Sequence, residues 1–217
     1  MLSERASLRK ILERRDADVY NGAKEKGGRG MGREFELKYR AGAETLARIR
    51  EDLGGFEPIA METVYYDTPE CALSAKHWTL RQRMENGIRV CTLKTPAPGN
   101  AREEWEVAGY GLAEALPRLG EISGRNLVFP DLQPLCGAKF TRLRKLETHD
   151  GCTVEIALDQ GILTGGNREL PFGELEVELK EGSEEAALRF AENLATKYGL
   201  MPEKKSKFAR AMALAEG

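Results

Sequence analysis

The feature that most constrains this chain is a period-two alternation of apolar and charged residues, recurring in segment after segment from Arg33 onward. Glu34-Phe35-Glu36-Leu37-Lys38-Tyr39 is the first such run. Leu80 to Arg83, Thr92 to Lys94, Arg102 to Val107, Phe140 to Leu146, Val154 to Asp159 and Glu174 to Leu179 repeat it. Successive side chains of a strand point to opposite faces, so each run reads as a strand with one apolar and one charged face. The dipeptides Asn86-Gly87, Asp150-Gly151 and Gly165-Gly166 supply the positive φ that two-residue hairpins need, so the strands pair antiparallel. Helical spacing is confined to a few segments. Residues 43–53 carry Leu46, Ile49 and Leu53 before Gly54-Gly55; Ser183 caps a run with Leu188, Ala191, Leu194 and Tyr198 that Gly199 ends; and a last helix holds Phe208, Ala211, Met212 and Leu214. Shorter pieces follow Pro69 and surround Leu112 to Leu119.

A two-residue turn also fixes which residues oppose each other. A turn at Asn86-Gly87 sets Arg81 against Thr92, Arg83 against Val90 and Lys94 against Thr79, so Arg81, Arg83 and Lys94 emerge on one side. A turn at Asp150-Gly151 sets Arg142 against Asp159 and Leu146 against Glu155. A turn centred on Gly165-Gly166 sets Glu176 against Glu155 and Glu174 against Ala157, so Glu174, Glu176 and Glu178 join the face of Asp159. A charged row is usually the wet side of a half-buried sheet. Three carboxylates at period two repel one another, however, and such a row is retained most readily where a cation neutralises it. The opposite face, with Phe35, Leu37, Tyr39, Leu93, Ile156, Leu158, Leu175, Val177 and Leu179, needs helices as cover. An apolar outside under helices with a charged inside predicts an α+β fold built on a barrel with a wet, charged lumen. Unpaired buried ions are costly, so such a lumen must hold water, metal and a highly charged ligand. Carboxylate clusters suit hard cations, and arginine forks and lysine point charges suit phosphate oxygens.

Composition removes other readings. Among 217 residues, 33 Lys and Arg stand against 35 Asp and Glu, a net charge of −2 that gives no general affinity for nucleic acid or membrane. Two histidines leave little room for serine-type triads or histidine-rich metal sites. Four cysteines without a C-x-x-C pair argue against a zinc knuckle or disulfide framework, which makes a reducing cytoplasm the expected compartment. No stretch is long enough to span a bilayer. Residues 1–30 hold eight Lys and Arg against five Asp and Glu and run into Gly27-Gly28-Arg29-Gly30 before a second methionine, Met31. They read as a flexible extension whose removal leaves folding and activity intact, ahead of a domain over residues 31–217.

Taken in order, these motifs resemble the CYTH domain of the triphosphate tunnel metalloenzymes over essentially all of residues 31–217. The opening E-x-E-x-K is Glu34, Glu36 and Lys38; Tyr65-Tyr66-Asp67-Thr68-Pro69 comes next, then Leu80-Arg81-Gln82-Arg83, Thr92-Leu93-Lys94, and Arg102 with Glu104. Arg142, the segment Val154 to Gly161, the segment Glu174 to Leu179 and Ser206-Lys207 complete the series. The later segments are most similar to the bacterial inorganic triphosphatase branch, in which a helical CHAD domain is often attached at the C-terminal side.

The resemblance implies an antiparallel eight-stranded β-barrel tunnel and a metal-dependent hydrolysis of inorganic triphosphate to pyrophosphate and phosphate. Glu34, Glu36, Glu176 and Glu178 would hold Mg2+ or Mn2+, with Asp159 and Glu174 serving a second ion. Arg81, Arg83, Lys94, Arg102, Arg142, Arg144 and Lys207 would grip the phosphates. Lys38 and Lys94 are the expected catalytic cations, Lys38 on the phosphate side or orienting a carboxylate. Glu104 and Glu106 either balance neighbouring arginines or touch metal, and His77, Trp78 and Trp105 read as packing or rim residues. Two other readings stay open: an organic triphosphate as substrate, as in thiamine-triphosphatases and class IV adenylate cyclases, or a non-catalytic polyphosphate-binding module.

Overall fold

The computed structural model describes residues 35–97 and 102–216; the expected extension over residues 1–30, and Glu34, lie outside the described residues. In chain order the elements are β1 (Glu36–Arg40), α1 (Ala43–Leu53), β2 (Glu57–Asp67), β3 (Thr79–Glu85), β4 (Ile88–Pro96), β5 (Arg102–Ala108), α2 (Leu112–Ser123), β6 (Gln133–His149), β7 (Cys152–Gly165), β8 (Arg168–Gly182), α3 (Glu184–Tyr198), β9 (Met201–Pro202) and α4 (Lys207–Glu216). The class is α+β, with antiparallel strands and four helices among the described residues. The hydrogen-bonded order is β5-β4-β3-β2-β6-β7-β8-β1-β9. Nine strands are present among the described residues where eight were expected, the additional one being the short β9. The ninth strand is only two residues long, Met201 and Pro202 pairing with Arg40 and Tyr39 of β1. No described helix is long and apolar enough to cross a membrane.

Two compact units make up the described chain, one over residues 64–134 and one over residues 35–63 and 135–216. In the first, α2 covers the apolar faces of β3, β4 and β5, packing Ala115 and Leu119 with Leu80, Cys91, Leu93 and Trp105. In the second, α1 and α3 cover β1, β7 and β8, and Leu46, Ile49, Ala187, Ala191 and Leu194 meet Ile156, Leu158, Leu175 and Val177. Each fully buried leucine, isoleucine or valine here contributes about 1.5–3 kcal/mol. Ser183 caps α3 by accepting from the Ala186 amide, and Gly199 ends it in the left-handed conformation.

Two of the three predicted turns form as expected. Asn86-Gly87 and Asp150-Gly151 both have positive φ at each central position, and the ladders they set place Arg81 against Thr92 and Arg142 against Asp159. The third differs. Gly165 is the last residue of β7 and pairs with Arg168, so the turn is Gly166-Asn167, with positive φ at Gly166. Gly165 serves another purpose: a Cβ there would lie 2.2 Å from the Ala211 carbonyl, so its hydrogen lets α4 sit directly on the strand. The register moves by two residues, which keeps every side chain on its predicted face but changes its partner. Asp159 now opposes Glu174, and Glu155 opposes Glu178.

Most of β2 was hidden in the sequence, because its buried positions Ile59, Met61, Thr63, Tyr65 and Asp67 mix apolar with polar residues. Its last residue organises the loop beyond the strand. Asp67 is buried, and its carboxylate accepts from the amides of Thr68 (2.8 Å), Leu73 (2.8 Å) and Ser74 (2.9 Å), fixing the loop that enters the 3-10 turn Ser74–Lys76. Burial opposes the charged form, but these donors outweigh it and hold the carboxyl below its ordinary 3.8. Asp67→Ala is therefore expected to cost on the order of 3 kcal/mol by stranding buried amides. Because the folded value is depressed, this difference is full above the ordinary carboxylate range and shrinks as pH falls through the folded value. Urea unfolding of both proteins at neutral pH and again at acid pH checks it; an equal gap at both would contradict the assignment.

Candidate functional site

Register puts charges of both signs in a grid on one face of the second unit. Across β6, β7, β8 and β1, one row reads Leu146, Glu155, Glu178, Glu36; the next Arg144, Ala157, Glu176, Lys38; the third Arg142, Asp159, Glu174, Arg40. A fourth reads Phe140, Gly161, Phe172, where a Cβ at Gly161 would lie 2.4 Å from the Phe140 Cβ and the two phenyl rings meet edge-on with centroids 5.6 Å apart. Directly opposed like charges repel, so the carboxylates of these rows need cations close by.

Three cations supply them at the most buried point. Carboxylate oxygens of Asp159, Glu174 and Glu176 lie within 4.8 Å of one another, with Asp159 and Glu174 wholly buried. Arg142 engages Asp159 through both prongs of its guanidinium, at 2.8 and 2.7 Å, and also donates to Glu176. Lys207, at the first turn of α4, places its ammonium 2.7 Å from Asp159 and 2.8 Å from Glu176 while donating to Glu174, whose other oxygen accepts from Arg210. Ser206 fixes that first turn by accepting from the Ala209 amide at 3.1 Å. Burial opposes every charge in this cluster. Lys207 and Arg142 nevertheless hold Glu176 well below the usual carboxylate range, and the carboxylates raise both Lys207 and Arg142. Glu174 is pushed up, by burial first and by the neighbouring Glu176 charge, against the pull of Lys207 and Arg210.

The row of Glu155, Glu178 and Glu36 has cations of its own. Glu36 lies 3.4 Å from Lys38, Glu178 2.7 Å from Lys180, and Glu155 4.0 Å from both Arg142 and Arg144. Lys38 thus sits beside the Glu36 carboxylate. An all-oxygen carboxylate set such as Asp159, Glu174 and Glu176 is of a kind that could hold a metal ion.

The first unit carries its own charged face. Thr79, Lys94 and Glu104 form one row across β3, β4 and β5, and Arg81, Thr92 and Glu106 the next. Glu104 receives Lys94 at 2.8 Å and Arg81 at 3.2 Å; Glu106 receives the Thr92 hydroxyl at 2.8 Å and stands 3.7 Å from both Arg81 and Arg83. Arg83 also pairs with Glu85. Burial alone would raise Glu104, but Lys94 and Arg81 override it and hold the carboxyl at about 2. Glu104 and Glu106 thus balance the arginines in this structure. Arg102 turns its guanidinium to the His77 carbonyl at 2.8 Å and the Thr79 hydroxyl at 3.3 Å. Trp105 is a core residue, as expected.

The structure therefore brings Asp159, Glu174, Glu176, Arg142 and Lys207 into contact, aligns Glu36 with Glu178, and clusters Arg81, Arg83 and Lys94 in the other unit. Sequence reasoning missed Arg210 and Glu203. The signal for Arg210 was present: it lies three residues after Lys207, on the same helical face.

A family model for the CYTH domain matches residues 32–212, and the chain belongs to that family. Among characterised relatives, the inorganic triphosphatase of Haemophilus influenzae is 27% identical over 177 residues, covering 76% of this chain and 50% of that protein; the chain thus spans about half the length of that relative. Among solved structures, HpAC1 from Hippeastrum, described as having a dominant triphosphatase activity, aligns with a TM-score of 0.61 at 16% identity, over 84% of this chain and 96% of that one. PH1819 from Pyrococcus horikoshii OT3 aligns with a TM-score of 0.59 at 22% identity, over 83% and 98%. These likenesses establish the fold.

Removing Arg142 leaves buried carboxylates short of a cation. Arg142→Met is expected to destabilise the protein by roughly 3–5 kcal/mol, whereas breaking the exposed Arg189–Glu185 helix pair should cost no more than about 0.5 kcal/mol. Chemical denaturation of the two variants distinguishes a buried, interdependent charge cluster from solvated surface pairs, which would give similar small losses.

Proposed function

We propose that this protein hydrolyses inorganic triphosphate to pyrophosphate and phosphate with Mg2+ or Mn2+, that residues 31–217 form its catalytic domain, and that it works in the cytoplasm, where its four free thiols stay reduced. The observation that carries this reading is the interleaving of buried carboxylates with arginine and lysine on registered strands, the donor complement a metal polyphosphate needs. Family membership and the activities described for the Haemophilus and Hippeastrum proteins support it. Glu34, Glu36, Glu176 and Glu178 would hold the ion, with Asp159 and Glu174 toward a second, and the ion would neutralise phosphate oxygens and acidify water.

The chain's own residues do the remaining work. Arg81, Arg83, Lys94, Arg102, Arg142, Arg144 and Lys207 bind phosphate oxygens in place of the carboxylates that several of them now hold, Arg142 through its planar fork and Lys207 as a point charge. Lys38 steadies Glu36, and Lys94 stabilises charge on the leaving oxygen, the preorganised electrostatics on which phosphoryl transfer relies. Water attacks a terminal phosphorus, a new P–O bond forms as the bridging P–O bond breaks, and the water's protons leave with the products or to solvent.

A substrate panel with Mg2+ or Mn2+ should show faster phosphate release from inorganic triphosphate than from ATP or thiamine triphosphate, and excess EDTA should abolish it. Glu36→Gln should lower turnover on the order of 100-fold or more. Absent turnover in the wild type, together with polyphosphate binding that Glu36→Gln leaves intact or strengthens, would instead establish a binding module.

A further inference from the structure

We infer that Arg210, seated by Glu203, is a positioning residue that keeps the Lys207 ammonium available to phosphate; the inference rests on the triphosphatase reading. Lys207 and Arg210 are three residues apart on α4 and project from one face, and the backbone of Arg210 is fixed by donating to the Ser206 carbonyl at 3.0 Å. The two cations divide one wholly buried carboxylate between them, Lys207 on Oε1 of Glu174 and Arg210 on Oε2.

Arg210 is itself anchored from two further sides. Its guanidinium lies over the Phe172 ring, 5.4 Å from the centroid, and 3.9 Å from Glu203. Glu203 is buried and held in place: its amide donates to the Lys38 carbonyl at 2.8 Å, and its carboxylate accepts from Arg40 at 2.6 Å and from the Lys205 amide at 2.9 Å. Arg210 is thus tied to the strand that carries Glu36 and Lys38 as well as to Glu174.

Charge arithmetic gives the consequence. Asp159, Glu174 and Glu176 carry three negative charges, which Arg142, Lys207 and Arg210 match one for one. Without Arg210 the cluster has one uncompensated negative charge where little water screens it. Lys207 and Arg210 are the cations that contact Glu174, so once Arg210 is gone the ammonium of Lys207 takes up the deficit and is drawn onto Glu174. A lysine held more tightly by carboxylates has less attraction left for phosphate. Arg210 need not touch substrate to produce this effect.

The test compares Arg210→Gln, Arg210→Lys, Glu203→Gln and the Arg210→Gln/Glu203→Gln double variant, with thermal melts confirming the fold. Kinetics on inorganic triphosphate with Mn2+ are paired with calorimetric binding of pyrophosphate, a product that is not turned over. Arg210→Gln should raise both KM and the pyrophosphate Kd by about tenfold, and Glu203→Gln by about threefold. Arg210→Lys, which keeps the charge, should recover most of the loss. Because Glu203 acts through Arg210, the double variant should be no worse than Arg210→Gln alone. Unchanged KM and Kd in Arg210→Gln, no recovery in Arg210→Lys, or full multiplication of the two effects would overturn the inference. Should Arg210→Gln not fold, an unchanged KM in Glu203→Gln overturns it. A wild-type protein that neither cleaves triphosphate nor binds pyrophosphate instead overturns the functional reading on which it rests.

Discussion

Like charges on directly opposed strand positions must be neutralised, and most of the charged face is a consequence of that requirement. Antiparallel pairing places Asp159 against Glu174 and Glu155 against Glu178, with Glu36 on the far side of Glu178. Each opposition is unfavourable alone. The compensation comes partly from the neighbouring strand, through Arg142, and partly from a helix that is remote in sequence, through Lys207 and Arg210. The approach of α4 in turn depends on Gly165, where a Cβ would collide with the helix backbone at 2.2 Å. A glycine at a strand end and a lysine at a helix start thus serve one electrostatic arrangement.

Such an arrangement is weak evidence for stability and stronger evidence for a ligand. Apolar residues of similar volume would usually stabilise the same site as well or better than buried ion pairs. What ion pairs add is exchangeability, since a cation resting on a carboxylate can move to a phosphate oxygen when one arrives. In the row of Glu155, Glu178 and Glu36, Lys180 stands 2.7 Å from Glu178 and Lys38 3.4 Å from Glu36, while Arg142, already on Asp159 and Glu176, stands 4.0 Å from Glu155. In the first unit, Lys94 and Arg81 rest on Glu104 in the same fashion.

Much of this was legible in the residues because turn chemistry sets register. Asn86-Gly87 and Asp150-Gly151 left a single two-residue hairpin geometry each, and that geometry determined the facing pairs, Arg142 with Asp159 among them. Gly165-Gly166-Asn167 contains two adjacent turn dipeptides, and the alternation of the flanking strands does not distinguish them; the structure uses the second. The face of each glutamate survived that shift because two residues is a whole strand period; the partners did not. Strand β2 was largely missed since Thr63 and Asp67 are buried as polar residues, each silent in an apolar pattern. The pairing of Arg210 with Glu174 joins residues 36 apart in sequence, and alternation within one strand carries no information about it.

In the proposed reaction these charges serve to cleave a phosphoanhydride. Phosphorus-31 NMR of inorganic triphosphate incubated with the folded protein and Mg2+ tests it most directly, because it observes bonds and requires no coupling enzyme. The triphosphate signals should decay while phosphate and pyrophosphate grow in equal amounts. Triphosphate signals that persist unchanged beside a folded protein, with either Mg2+ or Mn2+ present, would contradict it.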